Sequence, residues 1–153
     1  FKSMAGVDML HVPFKGSPQS VLALLSGEVA VSFPTMPPAL PNVQSGKLRA
    51  LAVTSPKRSN AAPDVPTVSE AGLKGYEMVL YSGIIGPANV PGAIVARLNA
   101  EIGKGIRSPE LKPILDNVGA EPVTMTPEQF GKHLGSEIDK LGAIVRAVGA
   151  RVD

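Results

Sequence analysis

Between residues 8 and 72 the sequence repeats one local pattern. A short apolar run leads into a turn built on Pro or Gly, and the turn opens a short helical stretch closed by Gly. Residues 8–14 (DMLHVPF), 28–33 (EVAVSF) and 48–53 (LRALAV) are the apolar runs. They read as strands, the last of them apolar and central. After the first run, Ser17 is placed as an N-cap and Pro18 at the first helical position, which predicts a helix over 18–26 stopped at Gly27. After the second, Pro34-Thr35-Met36-Pro37-Pro38 makes a rigid loop before a helix over 38–45 that ends at Gly46. Residues 54–66 form an irregular connection. Thr67 and Glu70, three apart, form a capping box that opens a short helix ended by Gly72. Strands that alternate with helices predict an α/β lobe with parallel strands.

The second half changes character. Residues 76–86 (YEMVLYSGIIG) form an extended apolar stretch interrupted by Ser82-Gly83. Its length exceeds an average strand of about 5–6 residues, so it can cross between two lobes. After Pro87 the pattern is helical. Residues 91–107 put Ile94, Val95, Leu98, Ile102 and Ile106 on one face. Ser108-Pro109-Glu110 starts a second helix ending at Gly119. Residues 120–124 suit a short edge strand, because Pro122 has no place in a central one. Thr126-Pro127-Glu128 opens a last helix to about residue 148, with Phe130, Leu134, Ile138, Leu141, Ile144, Val145 and Val148 on its apolar face.

Composition narrows the function classes. Lys plus Arg number 15 against 13 Asp plus Glu, a net charge of +2. That balance lacks the clustered basic footprint of a nucleic-acid binder. The chain has no Cys, which excludes a disulfide scaffold, a thiolate metal site and a Cys nucleophile. Aromatic residues are 4% with no Trp, against an aromatic stacking platform. A hydrophobic share of 44% supports a real core. No apolar run approaches the ~20 residues that span a bilayer. The opening Phe1-Lys2-Ser3-Met4-Ala5-Gly6 reads as the end of a helix with no cap before it, which predicts a fragment or processed product of a longer protein.

Catalytic constellations are missing from the sequence. His11 and His133 have no second ligand at metal spacing. Gly-x-Ser-x-Gly, Walker and Gly-x-Gly-x-x-Gly motifs are absent, and the carboxylates are scattered. No catalytic residue, metal or cofactor is expected, and the chain reads as a non-enzyme. Three segments instead suit a small oxyanion. Phe14-Lys15-Gly16-Ser17 lies where a strand meets a helix N-terminus, with backbone N–H groups, a hydroxyl and a charge. Pro34-Thr35 follows a buried strand, and loops at the carboxyl ends of parallel strands bind ligands in α/β folds. Tyr81-Ser82-Gly83 lies in the crossing stretch, where Gly permits close backbone approach.

Five blocks in order carry a resemblance. They are His11-Val12-Pro13-Phe14-Lys15-Gly16, then residues 46–55 (GKLRALAVTS), then 63–72 (PDVPTVSEAG) with Gly75-Tyr76-Glu77, then Leu98-Asn99-Ala100-Glu101, then Gly119-Ala120-Glu121-Pro122. Together they resemble the Bug family, the TctC-type substrate-binding proteins of tripartite tricarboxylate transporters. The resemblance implies a periplasmic protein of the periplasmic binding protein type II-like α/β fold. Two lobes close on a small carboxylate, which is delivered to membrane permease subunits. It further implies that this chain is about half of such a protein. Residues 1–78 would be most of the second lobe, 79–85 the hinge crossing, and 86–153 the C-terminal, mainly helical part of the first lobe, with a signal peptide expected upstream. Ligand contacts are expected at Phe14, Lys15, Gly16, Ser17, Pro34, Thr35, Tyr81, Ser82 and Gly83. Many family members carry Asp or Asn where Pro34-Thr35 stands, and Trp where Tyr81 stands. Exposed apolar surface on a truncated chain is expected to favour self-association. The alternatives are a ligand-sensing ectodomain that works with a signalling partner, and an enzyme whose catalytic residues lie outside this chain.

Overall fold

The computed structural model describes residues 1–148. It divides into two compact units, Phe1–Ile84 with Lys112–Glu121, and Ile85–Leu111 with Pro122–Asp153. The chain thus passes between units after Ile84, after Leu111 and after Glu121. The second unit, like the expected segment 86–153, ends in residues outside the described range.

The first unit holds four helices. These are α1 (Lys2–Ala5), α2 (Ser17–Leu25), α3 (Met36–Gln44) and α5 (Lys112–Val118). Gly16 caps α2 with φ 106° and ψ 170°, so Ser17 is the first helical residue rather than the expected cap. Its hydroxyl is used elsewhere, as the site below shows. Helix α3 starts at Met36, two residues earlier than expected, with Pro at its start and Pro41 inside it. The helix expected from Pro109 begins only at Lys112. Pro113 explains the delay. It has no N–H to offer the carbonyl of Pro109, so a helix started there lacks that hydrogen bond. Ser108 caps a single turn instead, accepting the Leu111 N–H on its hydroxyl at 3.3 Å.

The predicted strand runs carry no regular secondary structure, and no ladder forms among the described residues. A ladder needs a row of N–H and C=O groups paired with a neighbouring strand, and these runs do not form one. The one strand-like pairing is a parallel bridge between Val53 and Thr67. The Val53 N–H donates to Pro66 O at 2.8 Å, and the Val68 N–H to Val53 O at 2.9 Å. The Met78 N–H continues the association, donating to Thr54 O at 2.9 Å. Helix α2 contributes Val21 and Ala23 to the buried interior, α3 contributes Leu40, and the bridge region adds Thr67, Val68 and Tyr76.

The capping box at Thr67 forms as read, yet it holds one turn and not a helix. The Glu70 carboxylate accepts the Thr67 N–H at 2.8 Å, and the Thr67 hydroxyl accepts the Glu70 N–H at 3.0 Å. Gly72, at φ 123°, ends the turn. Arg58 joins the box with its Nε 2.9 Å from Glu70 Oε2. The Thr67 N–H, then Arg58, hold the Glu70 carboxyl below its ordinary pKa. A carboxyl with a depressed folded pKa stabilises above its unfolded value of about 4.3 and loses that contribution as pH falls through the folded value. Glu70→Gln is therefore expected to lower the urea midpoint at pH 7, with the gap to wild type closing by pH 3. An equal gap at both pH values would sink this assignment.

The second unit holds α4 (Gly92–Gly105) and α6 (Pro127–Val148). The start of α6 has a reciprocal cap in which Gln129 takes the role of Glu70. Thr126 N–H donates to Gln129 Oε1 at 2.9 Å, and Gln129 N–H to Thr126 Oγ1 at 3.2 Å. The Asn99 side-chain amide on α4 donates to Met125 O at 2.9 Å, tying the two helices' ends. The apolar faces expected to be sealed are not. Ile94 and Leu98 are more than half exposed, and none of the described residues here is buried. Two helices offer each other too little surface to cover two apolar stripes.

Candidate functional site

Two of the three candidate segments meet. The Thr35 N–H donates to Ser17 Oγ at 3.0 Å. Helices α2 and α3 therefore start side by side, and their backbones are linked through one hydroxyl. One turn along, the Ser20 and Ser32 hydroxyls lie 3.2 Å apart, a second polar link between α2 and the run before α3. The sequence reading singled out Ser17 and Thr35 but missed Ser20 and Ser32. Their signal was visible as two serines inside otherwise apolar stretches.

Gly16 makes this junction possible. At φ 106° and ψ 170° its backbone lies in a region that L side chains rarely adopt. The preceding Lys15 N–H donates to Gln19 Oε1 at 3.0 Å, fixing the entry into α2. Phe14 is half-buried, while the Lys15 side chain is exposed.

Chemically the junction is a weakly positive, hydroxyl-bearing corner. Two helix N-termini meet there, and the positive end of a helix dipole favours an anion. Pro18, Pro37 and Pro38 carry no N–H, so fewer backbone donors stand there than at ordinary helix starts. The Ser17 hydroxyl accepts from Thr35 and keeps its own proton to donate. Hydroxyls and one lysine thus make up for the missing amides. Such a corner can hold a carboxylate, but it offers no acid–base pair.

Tyr81, Ser82 and Gly83 lie on the exposed extended run after Met78. Among the described residues, no hydrogen bond of Ser82 or Gly83 ties them to the Ser17–Thr35 pair. A shallow groove of about 380 Å³ runs along α4 past Ala93, Ile94, Arg97, Leu98 and Glu101. It is a helix face without converging polar groups. No group of three His, Asp or Glu among the described residues could hold a metal ion. No helix among them is long and apolar enough to cross a membrane.

Residues 1–150 match the family model described as the tripartite tricarboxylate transporter family receptor. The UPF0065 protein of the tcbD-tcbE intergenic region in Pseudomonas sp. (strain P51) is 36% identical over 137 residues, 89% of this chain and 41% of that protein. Protein BugT of Bordetella pertussis is 33% identical over 152 residues, 99% of this chain and 47% of its own length. Among solved structures, Rpa4515 of R. palustris with adipate superposes with a TM-score of 0.86 at 32% identity, over 97% of this chain and 50% of that one. MatC of Rhodopseudomonas palustris with bound malate gives 0.74 at 29% identity, over 94% and 50%. The chain spans about half the length of the relatives it matches. Its fold is that of an α/β periplasmic binding protein, type II-like, present in part.

Proposed function

The chain belongs to the tripartite tricarboxylate transporter receptor family, a family of solute-binding receptors and not of enzymes, and on that premise we propose that it captures a small carboxylate and delivers it to a tripartite tricarboxylate-type permease. The Ser17–Thr35 junction carries the reading, as two helix N-termini bound by a hydroxyl. The adipate and malate held by the two solved relatives are of the same ligand class. The ligand contacts are Phe14, Lys15, Gly16, Ser17, Pro34 and Thr35 from the junction, with Tyr81, Ser82 and Gly83 joining when a second lobe closes. The protein works in the periplasm, as its solved relatives named as periplasmic proteins do. In this reading residues 1–78 form most of one lobe, 79–85 the crossing and 86–153 the returning part of the other. Exposed Leu80, Ile84 and Ile85 support self-association of the isolated chain.

Calorimetry of adipate, malate and citrate against the full-length receptor carrying this sequence tests the reading. Binding of at least one is expected, and no heat with any carboxylate would overturn it. A hydrogen bond to a charged ligand contributes about 1.5–3 kcal/mol. Ser17→Ala is accordingly expected to weaken the bound carboxylate at least about tenfold, while a change under twofold would remove Ser17 from the site.

A further inference from the structure

Helix α5 reaches the junction from a distant part of the sequence. Its closing residue Gly119 takes φ +65°, with its N–H on Asp116 O at 3.1 Å and the next N–H, of Ala120, on Leu115 O at 2.9 Å. That turn is seated directly on the first residue of α3. A Cβ at Gly119 would stand 2.5 Å from Met36 Cγ, 3.1 Å from Met36 Cβ and 3.6 Å from Ala61 Cβ. The Cγ, one bond from the Cβ and not the far end of the side chain, must shift and carries the start of α3 with it, whereas the Cβ contact asks for only a few tenths of an ångström. Thr35, the residue before Met36, holds the hydrogen bond to Ser17. On the opposite flank Ala61 is fixed in its own turn, its N–H on Ser59 Oγ at 3.3 Å. The start of α3 therefore rests against a surface without a side chain at its closest point.

We propose that Gly119 is a positioning residue for carboxylate binding, and that the α5 turn sets where Thr35 sits against Ser17. The placement of this segment gives the contact a wider consequence. Residues 112–121 pack in the first unit, whereas the chain on either side of them belongs to the second. The turn that meets the start of α3 is thus flanked on both sides by chain that belongs to the other unit.

The proposal rests on the carboxylate reading above, and its test separates the two. Gly119→Asn adds a Cβ while tolerating left-handed backbone better than other side chains do. In the full-length receptor, with the best-bound of adipate, malate and citrate as probe, G119N is expected to weaken binding about tenfold. Its melting temperature should still leave it fully folded at the assay temperature. M36A alone should change affinity less than threefold, and M36A/G119N should recover most of the loss, because the Cβ then meets no Cγ. Loss and rescue of affinity in variants that are all fully folded at the assay temperature place the effect in the contact and not in unfolding. Wild-type affinity in G119N, or no recovery in the double variant, overturns the role of Gly119. If those results come while S17A still loses binding, the carboxylate reading stands alone. If wild type binds no carboxylate, that reading has failed first, and G119N and M36A/G119N are then compared by hydrogen exchange at the Thr35 amide. Faster exchange in G119N, restored in the double variant, keeps the positioning claim; no change overturns it.

Discussion

Replacing Tyr76 by Ala is expected to lower the unfolding free energy by about 3–5 kcal/mol, the range for removing a large buried aromatic ring. Tyr76 is 7% exposed, in a chain with four Phe, two Tyr and no Trp. Three of those six rings form one cluster. Phe1 lies edge-on to Tyr76 with centroids 5.9 Å apart, and tilted against Phe33 at 5.4 Å. Such pairs add about 0.5–1.5 kcal/mol beyond the area they bury. The cluster also sets local backbone. Gly75, at φ 78°, turns the chain, and the Tyr76 N–H donates to Leu73 O at 3.1 Å. Two residues on, Met78 joins Thr54 beside the Val53–Thr67 bridge. Losing the ring is expected to loosen the bridge beside it. Burial pushes the Tyr76 hydroxyl above its ordinary pKa, which marks a dry surrounding for the ring and not a gain from its charge. Tyr76→Phe is therefore expected to cost within about 1 kcal/mol, the ordinary net worth of one hydrogen bond. Urea unfolding followed by far-UV circular dichroism measures both variants. A loss under 1 kcal/mol for Tyr76→Ala would show that this cluster is not the anchor of the first unit.

The sequence was most legible where a residue acts through its own neighbours. Thr67 with Glu70, and Thr126 at the start of α6, form caps at the positions their spacing implied, since a cap needs only a hydroxyl and a nearby amide. It was less legible where the outcome depends on distant partners. Residues 28–33 and 48–53 have strand composition, but a ladder needs a second row of amides, and among the described residues only Val53 finds a strand-like partner, at Thr67. Ser17 shows the difference within one side chain. Its position before Pro18 read as a cap, yet its hydroxyl serves Thr35, 18 residues away. The Pro content misled in a similar way at α5. Ser108-Pro109 was a sound start signal, but Pro113 lies one turn beyond it and cancels the hydrogen bond that propagation needs. Gly119 was read as a stop, which it is. That it also seats against Met36 could not be read from spacing, because the contact joins residues more than eighty positions apart.

At the junction itself the largest effect is expected from Gly16→Ala. The substitution introduces little crowding, since a Cβ there meets only Pro18 Cδ at 3.8 Å, an ordinary contact. The cost comes from the backbone. With φ 106° and ψ 170°, Gly16 lies in a region populated almost only by glycine, where other residues carry about 1–3 kcal/mol of strain. Gly27, after α2, gives the internal comparison. Its φ of 79° is closer to the left-handed helical basin, so Gly27→Ala is expected at the lower end, about 1 kcal/mol. The two alanines differ more in function than in stability. Gly27 is at the far end of α2, whereas relief of strain at Gly16 must rotate the peptide that starts the helix. That rotation moves Ser17 off Thr35 and turns the α2 N-terminus away from the anion. Gly16→Ala is thus expected to weaken carboxylate binding more than Ser17→Ala does, because hydroxyl and helix dipole are lost together. Gly27→Ala should leave affinity within twofold of wild type. Calorimetry on the folded fraction, paired with urea midpoints, reads both quantities. Equal affinities in Gly16→Ala and Gly27→Ala would place the ligand elsewhere than at the start of α2.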